Sequence, residues 1–139
     1  VEDILTLDAL VSSRYAAEFW NYILVLRDYM RAREAGDFAA GNVHDYLANP
    51  PEGYRRCSAA RHKSNESETV KGNEKMRRER TRPVPREVDP SGEIEMWAHF
   101  APTHCDQNAP RMHYYADTKK THKVYIGYIG RHLTNTKTN

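Results

Sequence analysis

The 139-residue chain has few cysteines and no long apolar run. Two cysteines, Cys57 and Cys105, are too few for a disulfide framework, so we expect reduced thiols and a cytoplasmic location. No stretch of about 18 apolar residues occurs, so we expect no transmembrane helix and no membrane partner. The first residues, "VEDILTLDAL", are acidic, whereas a secretory signal begins with basic residues.

The sequence also lacks the short motifs of several large enzyme classes. It contains no P-loop, no GxSxG and no HExxH, and the glycines of "GYIGRH" do not stand between a strand and a helix. We therefore expect neither nucleotide hydrolysis nor dinucleotide binding, and the sequence predicts no cofactor.

Charge is divided into blocks, although the net charge is only +2. Residues 1–53 carry four arginines, no lysine and nine acidic residues. Residues 54–86 carry eleven basic and four acidic residues, and residues 87–139 carry six of each. The acidic and basic blocks can pair within the fold, or the basic block can bind phosphate groups. The sequence leaves both interpretations open.

The N-terminal part of the chain is predicted to be helical. Apolar side chains recur every three or four residues over residues 7–35, which is the spacing of one long amphipathic helix. "NVHDYLA" predicts a short second helix, ended by Pro50 and Pro51. "YRRCSAARHK" and "NEKMRRER" predict two helical turns, the latter capped by Asn73. The stretch "KSNESETVKGN" between them is predicted to be a loop.

After Pro83 the apolar pattern takes a period of two, which indicates strands. "RPVPREV" predicts an edge strand because it contains prolines. Stronger strands are predicted over residues 93–100, 111–117 and 123–130. The short connections between them favour an antiparallel meander.

These elements predict an α+β fold. An N-terminal long helix and short helices would pack on a C-terminal antiparallel meander of three to four strands. Within one compact domain, we distinguish an acidic helical lobe (residues 1–53), a basic, partly irregular segment (residues 54–82) and an antiparallel β-sheet lobe (residues 83–139).

Strict alternation along the strands assigns side chains to two faces of the sheet. An apolar face is expected to pack on the long helix, and it carries Ile94, Met96, Ala98, Phe100, Met112, Tyr114, Ala116, Val124, Ile126 and Tyr128. The opposite face is expected to be exposed, and it carries Glu95, Trp97, His99, Arg111, His113, Tyr115, Tyr125, Gly127 and Ile129. A one-residue bulge would exchange the two faces.

The exposed face holds groups that suit phosphodiester chemistry. Cleavage of RNA without a metal needs a base for the 2′-hydroxyl, an acid for the leaving oxygen and a cation at phosphorus. We predict His99 and His113 as the proton carriers. Glu95 is predicted to tune one of them, and Arg111 to contact the phosphate. An ordinary solvated sheet face is the alternative.

The same surface could bind nucleic acid without cleaving it, since aromatic rings stack on bases and basic side chains contact phosphates. The residues predicted to bind are Arg77, Arg78, Arg80, Arg82, Trp97, Tyr115, Tyr125, Arg131 and His132. A helix followed by an antiparallel meander resembles the ribonucleases of the barnase type and related bacterial toxins, which implies RNA cleavage. The sequence therefore predicts a module that binds RNA or single-stranded nucleic acid. If the module is also catalytic, we expect it to be a metal-independent endoribonuclease.

Metal sites are weaker hypotheses. The candidates for zinc are Cys57, His62, His104 and Cys105. Their chemistry is suitable, but adjacent histidine and cysteine residues rarely ligate one tetrahedral ion. Glu66 and Glu68, with Glu95 or Asp117, could hold magnesium, although acids in a basic loop more often pair with nearby arginines. We predict no bound metal.

A second class of function fits the charge blocks equally well. The acidic helical lobe could dock on a basic surface of another protein, which would make the chain a non-catalytic interaction or assembly domain. The chain begins with Val rather than Met, as expected of a processed product or of a domain from a larger protein.

Overall fold

A long amphipathic helix covers one face of an antiparallel sheet. The computed structural model describes residues 9–39, 41–103 and 109–134, with the side chains of the first helix from Tyr15 onward. The predicted long helix is α1, Ala9–Ala35, and it packs against a four-stranded sheet. The predicted α+β class is therefore confirmed. Among the residues that the structure describes, no helix is long and apolar enough to cross a membrane.

Three short helices begin at polar caps. Helix α2, Val43–Ala48, begins after Asn42, whose side chain accepts a hydrogen bond from the backbone N–H of Asp45 at 2.9 Å. Helix α4, Glu74–Glu79, begins after Asn73, as predicted. Helix α3, Glu68–Gly72, was not predicted and lies within the supposed loop. It forms because Ser67 caps it and because Val70 is buried.

The strands form two sheets. They are β1 His62–Lys63, β2 Thr81–Pro83, β3 Glu93–Glu95, β4 His99–Phe100, β5 Arg111–Asp117 and β6 Lys123–Gly130. The larger sheet has the order β1-β4-β5-β6, and β2 pairs with β3 in a separate hairpin. Strand β1 replaces the end of a predicted helical turn, of which only a 3₁₀ turn, Ala59–Arg61, is present.

The single strand predicted over residues 93–100 is wrong, because the chain leaves one sheet and enters the other. Met96 donates its backbone N–H to the carbonyl of Arg80 at 2.8 Å, and residues 96–98, which belong to neither strand, lead to β4. The predicted edge strand at "RPVPREV" is also shorter than expected, because only β2 pairs with β3.

Each face of the larger sheet has its own core. On the helix face, Phe100, Met112 and Tyr114 pack against α1, and the rings of Tyr22 and Phe100 stack with centroids 4.6 Å apart. The second core consists of Val84, Val88 and Met96, with Ile94, Tyr115 and Tyr125 packed around it. Met96 therefore lies away from the helix, contrary to the prediction, and the face expected to be exposed is covered.

Gly127 is the extra residue of a β-bulge, and after it the side chains of the last strand point to the opposite faces of the sheet from those predicted. His113 pairs with Tyr128, but Tyr114 pairs with Ile126, so Gly127 is an extra residue. As a result the ring of Tyr128 contacts that of His113, with centroids 6.1 Å apart, while Ile129 packs on the helix-facing core. Both assignments are the reverse of those predicted by strict alternation.

The absence of a side chain at Gly127 is a packing requirement. A Cβ there would overlap the sulfur of Met96 and would lie 2.8 Å from Cβ of Arg82. We predict that Gly127→Ala lowers the free energy of unfolding by about 1–3 kcal/mol, the usual cost of overpacking a core. Urea denaturation provides the measurement.

Gly72→Ala is the matched control, because a Cβ at Gly72 meets nothing within 4 Å. We expect its unfolding free energy to stay within about 0.5 kcal/mol of that of the unchanged chain. Equal stability of the two variants would contradict the proposed close packing under the bulge.

Candidate metal centre

His99 and His113 lie side by side on neighbouring strands. They are paired residues in the β4–β5 ladder, and their rings stack with centroids 4.7 Å apart at an interplanar angle of 25°. Arg111 lies two residues before His113 and shares its face by alternation. The prediction that His99 and His113 share one face is confirmed.

The prediction that this face is exposed is wrong here. His113 is 2% exposed, and His99 and Arg111 are each 8% exposed. The physical reason is that the second core packs over this face of the sheet, against Tyr115 of β5 and Tyr125 of β6. The histidines therefore lie in an interior polar cluster, where an unpaired polar group would be costly.

Backbone carbonyls orient both imidazole rings. Nδ1 of His99 lies 2.9 Å from the carbonyl oxygen of Trp97, and Nδ1 of His113 lies 2.9 Å from that of Met96. Because a carbonyl oxygen can only accept, each Nδ1 carries the hydrogen and donates it. The lone pair of each neutral ring is then on Nε2. Histidines that ligate metals commonly donate their other ring N–H to a carbonyl or carboxylate oxygen in this way.

Glu66 supplies a carboxylate to the histidine pair. One ligand atom each from Glu66, His99 and His113 lie within 4.8 Å of one another, and we call these three residues the Glu–His–His cluster. Glu66 belongs to the loop between β1 and α3, so the cluster combines this loop with the centre of the larger sheet.

Arg80 holds Glu66 in place. Its Nε donates to Oε2 of Glu66, Nη1 donates to the carbonyl of Met76 at 2.9 Å, and Nη2 donates to the carbonyl of Thr134 at 2.9 Å. The side chain of Arg80 is only 1% exposed. The carboxylate of Glu66 is therefore fixed by a buried, charge-assisted contact.

Burial keeps the histidines of the cluster neutral. Removal from water lowers the pKa of His99, and it lowers the pKa of His113 well below the usual value. Neutral imidazole is the form that binds metal ions. The same shift disfavours either ring as a general acid at neutral pH, because the acid must carry the proton.

The predicted carboxylate, Glu95, lies elsewhere. Its side chain is half exposed and forms an ion pair with Arg77 at 3.7 Å. Glu66 takes the place next to the histidines, although the sequence suggested it only as a magnesium ligand beside Glu95 or Asp117. The available signal was an acidic residue within the basic block, where Glu66 is one of four. Asp117 instead accepts hydrogen bonds from backbone N–H groups of the β5–β6 turn.

The five arginines predicted to bind nucleic acid occupy different environments. Arg77 and Arg78 are exposed, whereas Arg80 is interior. Arg82 lies over the ring of Tyr128, 4.6 Å from its centroid. Arg131 is exposed just beyond β6.

The predicted stacking aromatics are at least partly engaged within the fold. Trp97 is half-buried, with the ammonium of Lys71 5.6 Å from its ring centroid. Tyr115 and Tyr125 pack against the second core.

His132 is half-buried just beyond β6. Its Nδ1 donates to the carbonyl of Leu133 at 2.7 Å, so this ring also donates to a backbone carbonyl, as those of His99 and His113 do. Burial lowers the pKa of His132, and the hydrogen bond to Leu133 opposes this shift.

Of the four predicted zinc candidates, only Cys57 and His62 belong to the described residues. Cys57 packs against the helix-facing core, and His62 is buried between His44 and Tyr114. His104 and Cys105 lie outside the described residues.

His62 links the side chains of His44 and Tyr114 through its two ring nitrogens. Its Nδ1 lies 3.2 Å from Nδ1 of His44, and its Nε2 lies 2.6 Å from the hydroxyl of Tyr114. Burial lowers the pKa of His62 to about 3. Its unfolded value is near the usual one of about 6.5, so the unfolded chain takes up a proton that the folded chain does not.

We therefore predict that the chain loses stability as the pH falls below about 6.5, and that His62 contributes to this loss. His62→Gln should lower the free energy of unfolding at neutral pH. It should also make the unfolding free energy less dependent on pH, with a slope smaller by about 1 kcal/mol per pH unit between about pH 6 and pH 5. Urea denaturation at several pH values measures both effects. His122→Asn is the control, since His122 is exposed and has the positive φ of 57° that Asn tolerates. An unchanged slope in His62→Gln would contradict the assignment.

Comparisons with known proteins do not add a function to this geometry. No protein-family model matches the chain, and neither a curated protein nor a solved structure gives a match. The contacts, burial and charge of the cluster itself therefore provide the basis for a functional proposal.

Proposed function

We propose that the chain is a metal-binding domain that holds one divalent transition-metal ion between Glu66, His99 and His113. The observation that carries the proposal is the approach of their three ligand atoms to within 4.8 Å of one another. Two imidazoles and one carboxylate suit Zn²⁺ and Fe²⁺, and they also accept Mn²⁺.

The surroundings of the cluster support a site with an open coordination position. Three protein ligands are the usual number in catalytic zinc and non-haem iron sites, where water or substrate completes the coordination. Ligands of one ion at about 2.1 Å are roughly 3–3.5 Å apart, so small side-chain rotations would suffice to close the cluster. The carbonyl contacts of both histidines and the contact from Arg80 to Glu66 would limit other rotations.

A metal-independent ribonuclease is the second candidate, because His99, His113 and Arg111 share one face as that mechanism requires. Its difficulty is that burial lowers the pKa of both histidines and leaves neither well suited to donate a proton. RNA cleavage that continues in excess EDTA, and is lost in His99→Gln, would favour this candidate over the metal centre.

The metal proposal predicts one tightly bound ion per chain. The purified protein would be stripped with chelator and dialysed separately against Zn²⁺, Mn²⁺ and anaerobic Fe²⁺. Metal content would then be measured by mass spectrometry and affinity by calorimetry. Glu66→Gln and His113→Gln should each weaken binding by about a hundredfold or more, since each removes a ligand.

Glu68→Gln and His122→Asn are the matched controls, because Glu68 and His122 are exposed and lie outside the cluster. Both should keep the affinity of the unchanged chain. Equal metal binding by the ligand variants and the controls, or no binding by the unchanged chain, would overturn the proposal. Circular dichroism would establish that each variant is folded.

A further inference from the structure

An open groove lies between α1 and the first half of β6, and we call it the α1–β6 groove. Its volume is about 430 Å³, and its apolar lining consists of Ile23, Leu26 and Met30 from α1 with Val124 and Ile126 from β6. Val124 packs on the helix-facing core, whereas the Glu–His–His cluster lies on the other face of the sheet. The groove is therefore separate from the candidate metal centre.

Exposed apolar side chains extend this groove beyond its base. The large apolar residues that are exposed in the described part of the chain are Trp20, at 61%, and Ile126, at 37%. Ile126 lines the groove directly. Trp20 comes three residues before Ile23, so it lies on the same side of α1, about one turn further along. Apolar surface that is concave and rimmed by polar residues is typical of interaction sites, and tryptophan often contributes much of the binding energy.

Positively charged side chains stand on both sides of the groove. Arg31 of α1 and Lys123 of β6 line it and are exposed, and neither side chain has a hydrogen bond or an ion pair among the residues that the structure describes. Arg27 also lines it, but it pairs with the buried Asp28 at 3.1 Å. Glu34 is the acid of the described lining. Two uncommitted cations therefore face one carboxylate.

This local charge differs in sign from that of the acidic helical lobe as a whole. Exposed charges more than about 10 Å apart are largely screened at physiological salt. A ligand seated in the groove would therefore respond to the side chains that line it, and their excess positive charge favours an acidic ligand.

We propose that the α1–β6 groove binds an amphipathic helix of a partner protein, with apolar side chains against its base and Asp or Glu along both flanks. Helices commonly bind in this way, through apolar anchors spaced three or four residues apart. The stretch of α1 from Trp20 to Glu34 spans about 21 Å, which corresponds to a partner helix of about four turns. This role goes beyond the proposed metal function and does not depend on it.

The shape and charge of the groove favour a helix over other apolar ligands. A helix is about 10–12 Å across, so it can cover Trp20 and Ile126 as well as the base, whereas a single acyl chain is much narrower. One fatty-acid carboxylate also cannot meet both Arg31 and Lys123, which stand on opposite sides. A second copy, paired about a two-fold axis, would place the same excess positive charge against itself.

A displayed library of amphipathic helical peptides provides the probe. Each peptide has about 18 residues, enough for about five turns, with apolar residues at helical spacing and randomised flanking positions. The library is selected on the full chain, and enriched peptides are synthesised and titrated by fluorescence anisotropy. We expect Asp and Glu to be enriched over Lys and Arg at the flanks. Arg31→Glu should weaken binding about tenfold or more through like-charge repulsion, and Ile126→Ser about fivefold or more through lost apolar contact.

Arg131→Glu is the matched control, because it makes the same charge change at an exposed arginine beyond the opposite end of β6. It should keep the peptide affinity within about twofold. Circular dichroism establishes that each variant is folded, and Trp20→Ala replaces Ile126→Ser if the latter is not. Excess EDTA should leave all affinities unchanged, so failure of the metal proposal does not affect this test.

Three further measurements cover the other occupants of the groove. Palmitate and vesicles containing phosphatidylserine are offered in separate titrations, and analytical ultracentrifugation reports the oligomeric state. The proposal is overturned if no peptide is enriched, if enriched peptides show no acidic preference, or if Arg31→Glu and Arg131→Glu bind equally well. Binding of palmitate or vesicles without peptide binding, or a dimer that Ile126→Ser dissociates, would overturn it in favour of a lipid or of a second copy.

Discussion

The buried ion pair between Arg80 and Glu66 connects the parts of the chain on which the candidate site depends. Arg80 follows α4, Glu66 lies in the loop before α3, and a third contact from Arg80 reaches Thr134 beyond the last strand. Removing the carboxylate of Glu66 would leave the charge of the buried Arg80 without compensation, which typically costs about 3–5 kcal/mol. One guanidinium thus fixes three segments that have little hydrophobic core of their own.

This arrangement explains why the basic block is not simply a surface for phosphate groups. Of its arginines, Arg77 and Arg78 face solvent, while the buried Arg80 compensates the partly buried carboxylate of Glu66. Acidic residues within the block have matching roles, since Glu66 pairs with Arg80 and Glu79 accepts from Thr134. Pairing within the fold therefore accounts for part of the charge pattern. Docking of the acidic helical lobe on a partner protein stays a prediction.

The sequence was informative where a regular period or a local cap determines structure. The spacing of α1, the Asn73 cap of α4 and the shared face of His99 and His113 all depend on local rules. It was not informative where one residue changes the register. The extra residue at Gly127 reverses the faces of Tyr128 and Ile129, and the interruption over residues 96–98 divides one expected strand between two sheets. Tertiary packing brings Glu66 close to the histidines, and no periodic pattern in the sequence around Glu66 indicates this contact.

Burial also changes the chemistry that the same residue types can perform. On an exposed face, His99 and His113 would titrate near neutrality and could exchange protons with a substrate. Beneath the second core their pKa values are lowered, and their Nδ1 atoms are committed to carbonyls. Each ring is then a neutral donor with an oriented Nε2 lone pair, which is the form a metal ion requires. The covering of the sheet, rather than the choice of residues, is what favours ligation over acid–base catalysis.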